Sequence, residues 1–273
     1  MQTRRFGSLP RDVPVIGIGT WQMERDDPAS AIAAIKRAIE RGMTHVDTAE
    51  MYGNGRVEEL VAEAIAGQRD RIFLASKVLP RNASYAGTLA ACEASLRRLR
   101  VDHLDLYMLH WAGEHPLADT IRAFEKLVAD GKIGAYGVSN FDDEELAQAI
   151  EFAGEGKIAC NQVLYHLGQR DIEHRVIPQC AKHGIAPVGY SPFGSRGRFV
   201  GKPLEALANQ LGATPRQLAL AYLTRKAFAI PKSSNVAHVD ELAGADAITL
   251  DDVAIETIEA AFPLGTWKGL PSI

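Results

Sequence analysis

The sequence predicts an α/β fold, a single (β/α)₈ TIM barrel with an N-terminal β-hairpin plug. Three observations predict it. Short apolar runs alternate with segments of helical period along nearly the whole chain. The runs are continuously apolar, as expected of parallel strands covered on both faces. The length, 273 residues, is near the roughly 250 typical of one such barrel. A doubly wound open sheet shares the first two features. It usually carries G-x-G-x-x-G after its first strand, and Gly17-Ile18-Gly19-Thr20-Trp21-Gln22 lacks the third small residue. With no linker, low-complexity segment or close repeat, residues 1–273 read as one domain.

The elements follow in order. Arg4-Arg5-Phe6 and Asp12-Val13-Pro14 flank a turn-rich stretch, 7–10, and read as a hairpin. A β-branched strand covers 15–20. A helix covers 28–41, with Ala31, Ile32, Ile35, Ala38 and Ile39 on one face and Gly42 ending it. Strands over 45–47, 72–77, 104–110, 136–139, 159–162, 187–190 and 228–230 then alternate with helices over 57–65, 86–99, 120–129, 142–152, 171–183, 214–225 and 236–243. Asp142 can cap its helix, and Pro215 sits in the first turn of another.

Composition limits the function. Hydrophobic residues make up 47 % and charged residues 23 %, with a net charge of −4. Nucleic-acid binding leaves a basic footprint that is missing here. No window approaches the roughly 18 consecutive apolar residues of a membrane span, and residues 1–10 lack the apolar core of a signal peptide. Cys92, Cys160 and Cys180 show neither disulfide-framework nor metal-ligand spacing. They read as buried thiols, and the protein as cytoplasmic with no metal.

In a (β/α)₈ barrel the active site lies at the C-terminal ends of the strands. The second barrel strand ends in Asp47, with Tyr52 in the loop beyond; the third ends in Lys77 and the fourth in His110. Each alone reads as an ordinary hydrogen-bonding or packing residue. Together they put four titratable types at one mouth. That set suits carbonyl reduction. Hydride arriving at a carbonyl carbon makes an alkoxide, which needs a proton. Tyrosine is a poor acid near neutrality, and a nearby lysine is expected to lower its pKa. Asp47 can hold Lys77 protonated, and His110 can orient the carbonyl oxygen.

At this point a family resemblance is evident. Asp47-Thr48-Ala49-Glu50-Met51-Tyr52-Gly53-Asn54 resembles the D-T-A-x-x-Y-x-N signature of aldo-keto reductases. Ser76-Lys77, the strand 105–111 ending in His110-Trp111, and Gly137-Val138-Ser139-Asn140-Phe141 resemble the family's next three strands. Asn161-Gln162-Val163 with Tyr165-His166, and Ile230-Pro231-Lys232-Ser233, resemble its sixth strand and its cofactor motif. The order is the family's and the match spans nearly the whole chain.

The resemblance implies the remaining roles. Asp47, Tyr52, Lys77 and His110 would be catalytic. Ser139, Asn140 and Gln162 would hold the nicotinamide carboxamide, and Tyr190 would stack on its ring. Gly19, Thr20 and Trp21 would line the mouth beside it. Ser191, Pro192, Phe193 and Ser195 would cover the pyrophosphate. Ile230, Pro231, Lys232, Ser233, Ser234, Asn235, His238 and Glu241 would hold the adenosine end with its 2′-phosphate. Trp21, Tyr52, His110 and Trp111 would wall the substrate pocket; Phe193, Tyr85 and Trp267 are further candidates. The stretch 195–201 reads either as a surface loop or as a flap over the pyrophosphate. Members preferring NADPH often carry Arg where this chain has His238, and Asn where it has Leu242. Arg is an always-charged fork and His is not. NADPH is therefore expected, with room for NADH, and an adenine contact at Leu242 is in doubt. The short tail suits small aldehydes, 2-oxoaldehydes or diketones, as in bacterial monomeric members. Two other readings stay open: a Schiff-base lyase using Lys77, and a non-catalytic nicotinamide-binding redox sensor.

Overall fold

The computed structural model describes residues 1–194 and 201–271. It opens with the expected hairpin, β1 (Thr3–Arg5) antiparallel to β2 (Asp12–Pro14). Barrel strands and helices follow: β3 (Ile18–Gly19), α1 (Pro28–Glu40), β4 (His45–Asp47), α2 (Arg56–Ile65), β5 (Phe73–Val78), α3 (Tyr85–Leu99) and β6 (Leu104–Leu109). Then come α4 (Leu117–Ala129), β7 (Ile133–Ser139), α5 (Asp143–Ala153), β8 (Ile158–Leu164), α6 (Val176–Lys182) and β9 (Ala186–Tyr190). The chain finishes with α7 (Glu205–Gln210), α8 (Pro215–Leu223), β10 (Phe228–Ile230), α9 (Val236–Ala243) and α10 (Asp252–Ala261).

The eight strands β3 to β10 pair in parallel and in chain order. Closure joins the first to the last. Gly17 N–H donates to Ala229 O (2.8 Å), Ala229 N–H to Val15 O (2.9 Å), and Gly19 N–H to Pro231 O (2.9 Å). The strands meet so closely that a Cβ on Gly19 would lie 2.7 Å from Ile230 O. Only glycine lets the sheet close there.

The hairpin plugs the N-terminal end of the barrel. Phe6 is fully buried, with its ring 4.8 Å from that of Phe73, 4.9 Å from Phe228 and 5.8 Å from His45. Those three residues are the first of β5, β10 and β4, so the plug sits opposite the mouth. Gly7 turns the chain beneath β8 at φ +57°, where a Cβ would meet Ala159 O at 2.5 Å.

The structure differs from the sequence reading in two elements, and the first difference has a plain physical cause. The helix expected over 171–183 is broken into a single 3-10 turn, Asp171–Glu173, and α6. Pro178 cannot sit in a helix interior, because its ring clashes with the carbonyl four residues back. Restarting at Val176 puts it in a first turn. The strand expected over 15–20 narrows to Ile18–Gly19, with Ile16 joined to Ala229 only by an isolated bridge. Helices α7 and α10 were not foreseen. Asp251 caps α10 by accepting from Ala254 N–H at 2.8 Å. Among the described residues no helix is long and apolar enough to cross a membrane.

Candidate active site

Every barrel strand delivers a side chain or backbone edge to the same mouth. Gly19, Asp47, Ser139, Tyr190 and Ile230 are the last residues of β3, β4, β7, β9 and β10; Lys77 and Gln162 lie near the ends of β5 and β8. His110 follows β6 directly. All of these but Lys77 line a cavity of about 580 Å³ together with Thr20, Trp21, Tyr52, Trp111 and Asn140. Lys77 lies just beneath its floor.

The floor is built around the Lys77 ammonium, which is fully buried. It donates to Asp47 Oδ1 (2.6 Å), to Thr48 O (2.9 Å) and to Tyr52 Oη (3.4 Å). An ammonium has three protons, so all are committed. Burial works to discharge Lys77, but Asp47 and Tyr52 outweigh it and raise its pKa. No lone pair is free for a Schiff base, which removes the observation that favoured a lyase.

The tyrosine departs from expectation. The Lys77 charge does pull the Tyr52 pKa down, but burial and the Asp47 charge prevail and the pKa is raised. Tyr52 is therefore a neutral phenol with its proton in place. Burial and the Lys77 charge also push the His110 pKa down to about 2, so the imidazole is neutral. Its Nδ1 is buried without a partner, which makes Nε2–H the favoured tautomer and turns a donor to the cavity. The His110 and Tyr52 rings meet edge to face at 5.9 Å.

The residues expected to hold a carboxamide are tied to each other. Ser139 Oγ donates to Gln162 O (2.8 Å), Asn140 Nδ2 donates to His110 O (3.0 Å), and Tyr190 Oη donates to Asn140 Oδ1 (2.7 Å). Gln162 Nε2 donates to Asp47 Oδ2 at 2.8 Å. Asn140 and Ser191 have φ of +59° and +50°, costly for residues other than glycine and common at functional sites.

A second cavity, about 460 Å³, is lined by Asp26, Asp27, Ser30, Lys232, Ser233, Ser234, Asn235 and His238. Lys232 lines both cavities, so they adjoin. Lys232 and Ser234 point their polar atoms at Asp26, the latter at 2.6 Å. Ser233 Oγ and the Asn235 side chain bond nearby backbone, and Asn235 caps α9 through His238 N–H (3.2 Å).

Some expected residues lie elsewhere. Pro192 is buried and Phe193 packs against the core; neither lines the cavity. Glu241 accepts from Thr214 Oγ at 2.7 Å, away from both cavities. Leu242 is buried in the core, which agrees with the doubt about an adenine contact there. Tyr85 lies under the Arg122 guanidinium and Trp267 under that of Arg175; neither lines the mouth. Ser195 and the rest of the 195–200 stretch lie outside the described residues. Met51, Ala112 and Glu145 line the first cavity and went unnoticed. Glu145 had a legible role only as partner of Asp142 in a capping box. Among the described residues no cluster of His, Cys, Asp or Glu is arranged to hold a metal ion.

Comparison with known proteins agrees with this architecture. The model of the aldo/keto reductase family matches residues 15–203 and 198–262. The chain therefore belongs to that family, and as a member it is an oxidoreductase that reduces carbonyl compounds with a nicotinamide cofactor. It is 40 % identical over 260 residues to methylglyoxal reductase YeaE of Escherichia coli, covering 92 % of each chain. It is 33 % identical over 252 residues to glyoxal reductase of Bacillus subtilis, covering 91 % of this chain and 89 % of that one. Among solved structures, an aldo/keto reductase from Klebsiella pneumoniae in complex with NADP and acetate superposes with a TM-score of 0.93 at 41 % identity, over 99 % of each chain.

Proposed function

We propose that this enzyme reduces small 2-oxoaldehydes and related aldehydes or diketones to alcohols with NADPH, with Tyr52 as proton donor. The observation that carries the reading is the buried Lys77 ammonium bridging Asp47 and Tyr52 beneath a cavity edged by His110. The methylglyoxal and glyoxal reductases among the relatives support the substrate class. NADP and NADPH complexes of similar chains support the cofactor.

The two adjoining cavities fit a dinucleotide. The first offers an apolar wall, Tyr190, beside the amide groups of Asn140 and Gln162; the second offers Lys232, Ser234 and His238 for a phosphate. When bound, the nicotinamide supplies the hydride. The chain's own residues do the rest. His110 presents Nε2–H to the substrate oxygen and fixes it near Tyr52 Oη. Tyr52 gives up its phenolic proton as negative charge builds on that oxygen. The Lys77 ammonium stabilises the phenolate as it forms, and Asp47 keeps Lys77 charged. Trp21 and Trp111 narrow the mouth and exclude water. A redox sensor would need no phenol held beside an ammonium.

The buried free cysteines Cys92, Cys160 and Cys180 suit a reducing compartment, and we read residues 1–273 as one cytoplasmic, monomeric barrel domain. The test is consumption of NADPH with a panel of small carbonyl compounds. Turnover of methylglyoxal with NADPH is the expected result; no NADPH consumption with any member of the panel overturns the reading.

A further inference from the structure

The cavity beside Lys232 already contains an anion of the protein's own. Asp26 lies in the loop after β3, between the 3-10 turn Met23–Arg25 and the cap of α1. Its carboxylate Oδ2 takes the proton donors of both Lys232 Nζ and Ser234 Oγ, the latter at 2.6 Å. Burial is the largest single influence and pushes the Asp26 pKa up, but the Lys232 and Ser234 hydrogen bonds and the Lys232 charge together reverse it, so the pKa is lowered. The side chain is charged at neutral pH. Nothing in the local fold requires that charge. The neighbouring Asp27 is the residue that caps α1, accepting from Ser30 N–H and Ser30 Oγ at 2.8 Å.

We propose that Asp26 is a specificity-determining residue that weakens the enzyme's preference for NADPH over NADH. This rests on the reading that Lys232, Ser234 and His238 receive the adenosine 2′-phosphate. The two donors aimed into that cavity, Lys232 and Ser234, are both occupied by Asp26 when no phosphate is there. Ser233 and Asn235 are spent on nearby backbone. A 2′-phosphate must take Lys232 and Ser234 from a carboxylate and then sit beside that carboxylate. It carries close to two negative charges, and like charges a few ångströms apart repel. NADH brings a neutral 2′-hydroxyl and meets no such repulsion. The effect falls on one cofactor only, which is how a repulsive element discriminates. Among the described residues lining that cavity the chain has His238, and no always-charged arginine fork.

Asp26→Asn keeps the size and the Ser234 contact and removes the charge. Asp26→Ala removes both. Dissociation constants for NADPH and NADH are read by quenching of tryptophan fluorescence, Trp21 lying in the nicotinamide cavity. Calorimetry with adenosine 2′-phosphate and with adenosine isolates the subsite from the nicotinamide. In both variants NADPH and adenosine 2′-phosphate should bind roughly tenfold tighter, a size suited to a partly exposed charge pair, while NADH and adenosine change less than twofold. Lys232→Met is measured alongside and should lower the NADPH-to-NADH affinity ratio. If Lys232→Met lowers that ratio but the Asp26 variants leave it unchanged, the proposal is overturned and the subsite reading stands. A ratio lowered in the Asp26 variants also overturns it, since Asp26 would then be holding Lys232 in place for the phosphate. If Lys232→Met leaves the ratio unchanged, the subsite reading fails and takes the proposal with it.

Discussion

Gln162 donates its amide to Asp47 across the barrel, Nε2 to Oδ2 at 2.8 Å, while Lys77 occupies the other carboxylate oxygen. Asp47 is almost fully buried, so both oxygens depend on protein donors. A buried acceptor left without its donor costs roughly 1–3 kcal/mol. Gln162→Met should lower unfolding stability by about that much and lower turnover as well, since Lys77 loses its fixed anchor. Urea unfolding of the variant measures the first effect. An unchanged midpoint would show that Asp47 is satisfied without Gln162.

Tyr52→Phe removes the proton and keeps the ring. General acid help is typically worth about 10²–10⁴-fold, so turnover should fall by that amount while the NADPH dissociation constant stays within about twofold of the wild type. Because burial raises the Tyr52 pKa above its ordinary value, the donor stays protonated through the tyrosine range. The rate should therefore show no alkaline loss from Tyr52 below roughly pH 10. Near-normal turnover in the variant would sink the proton-donor role.

The meeting of the four residues proposed as catalytic was legible because barrel geometry sends strand ends to one mouth. Asp47, Lys77 and His110 needed only correct strand boundaries, and Tyr52 only its loop. The contacts that set their chemistry were not legible. Gln162 meets Asp47 only because β8 and β4 face each other across a closed sheet. Asp26 meets Lys232 across 206 positions of chain, with no local pattern to mark it. The expected lowering of the Tyr52 pKa came from counting its lysine neighbour. The depth of burial that outweighs Lys77 is a property of the packed barrel. The helix expected over 171–183 failed for the opposite reason, since Pro178 was visible and its clash with the preceding turn decided the break.

His110 is held neutral, its pKa pushed down to about 2 by burial and the Lys77 charge. In the proposed mechanism it serves as a fixed neutral donor between pH 5 and 8. The turnover rate should therefore show no acid limb near the ordinary histidine value of about 6.5. His110→Gln retains a neutral donor and should lose less turnover than His110→Ala, for which removal of an oxyanion donor predicts a loss of about 10²–10³-fold. An acid limb near 6.5 that disappears in His110→Gln would refute the neutral-donor role.

His45 offers a test at the other end of the barrel. It is wholly buried against Phe6 and Phe73, and neither ring nitrogen has a partner. Burial and the Lys77 charge push its pKa down to about 4, against the pull of Asp47 and Asp105. In the unfolded chain it takes a proton near pH 6.5; in the folded chain it resists until near pH 4. Between those values the unfolded state binds more protons, so stability falls as pH falls. At about 1.4 kcal/mol per pKa unit the loss approaches roughly 3 kcal/mol, complete below pH 4 and absent above 6.5. His45→Leu removes the titrating group and keeps an apolar side chain beneath the plug. Its unfolding free energy, measured in urea from pH 7 to pH 4, should fall less steeply than the wild type's by that difference. Parallel pH dependences in the two proteins would show that His45 is not the buried base that the plug leaves unprotonated.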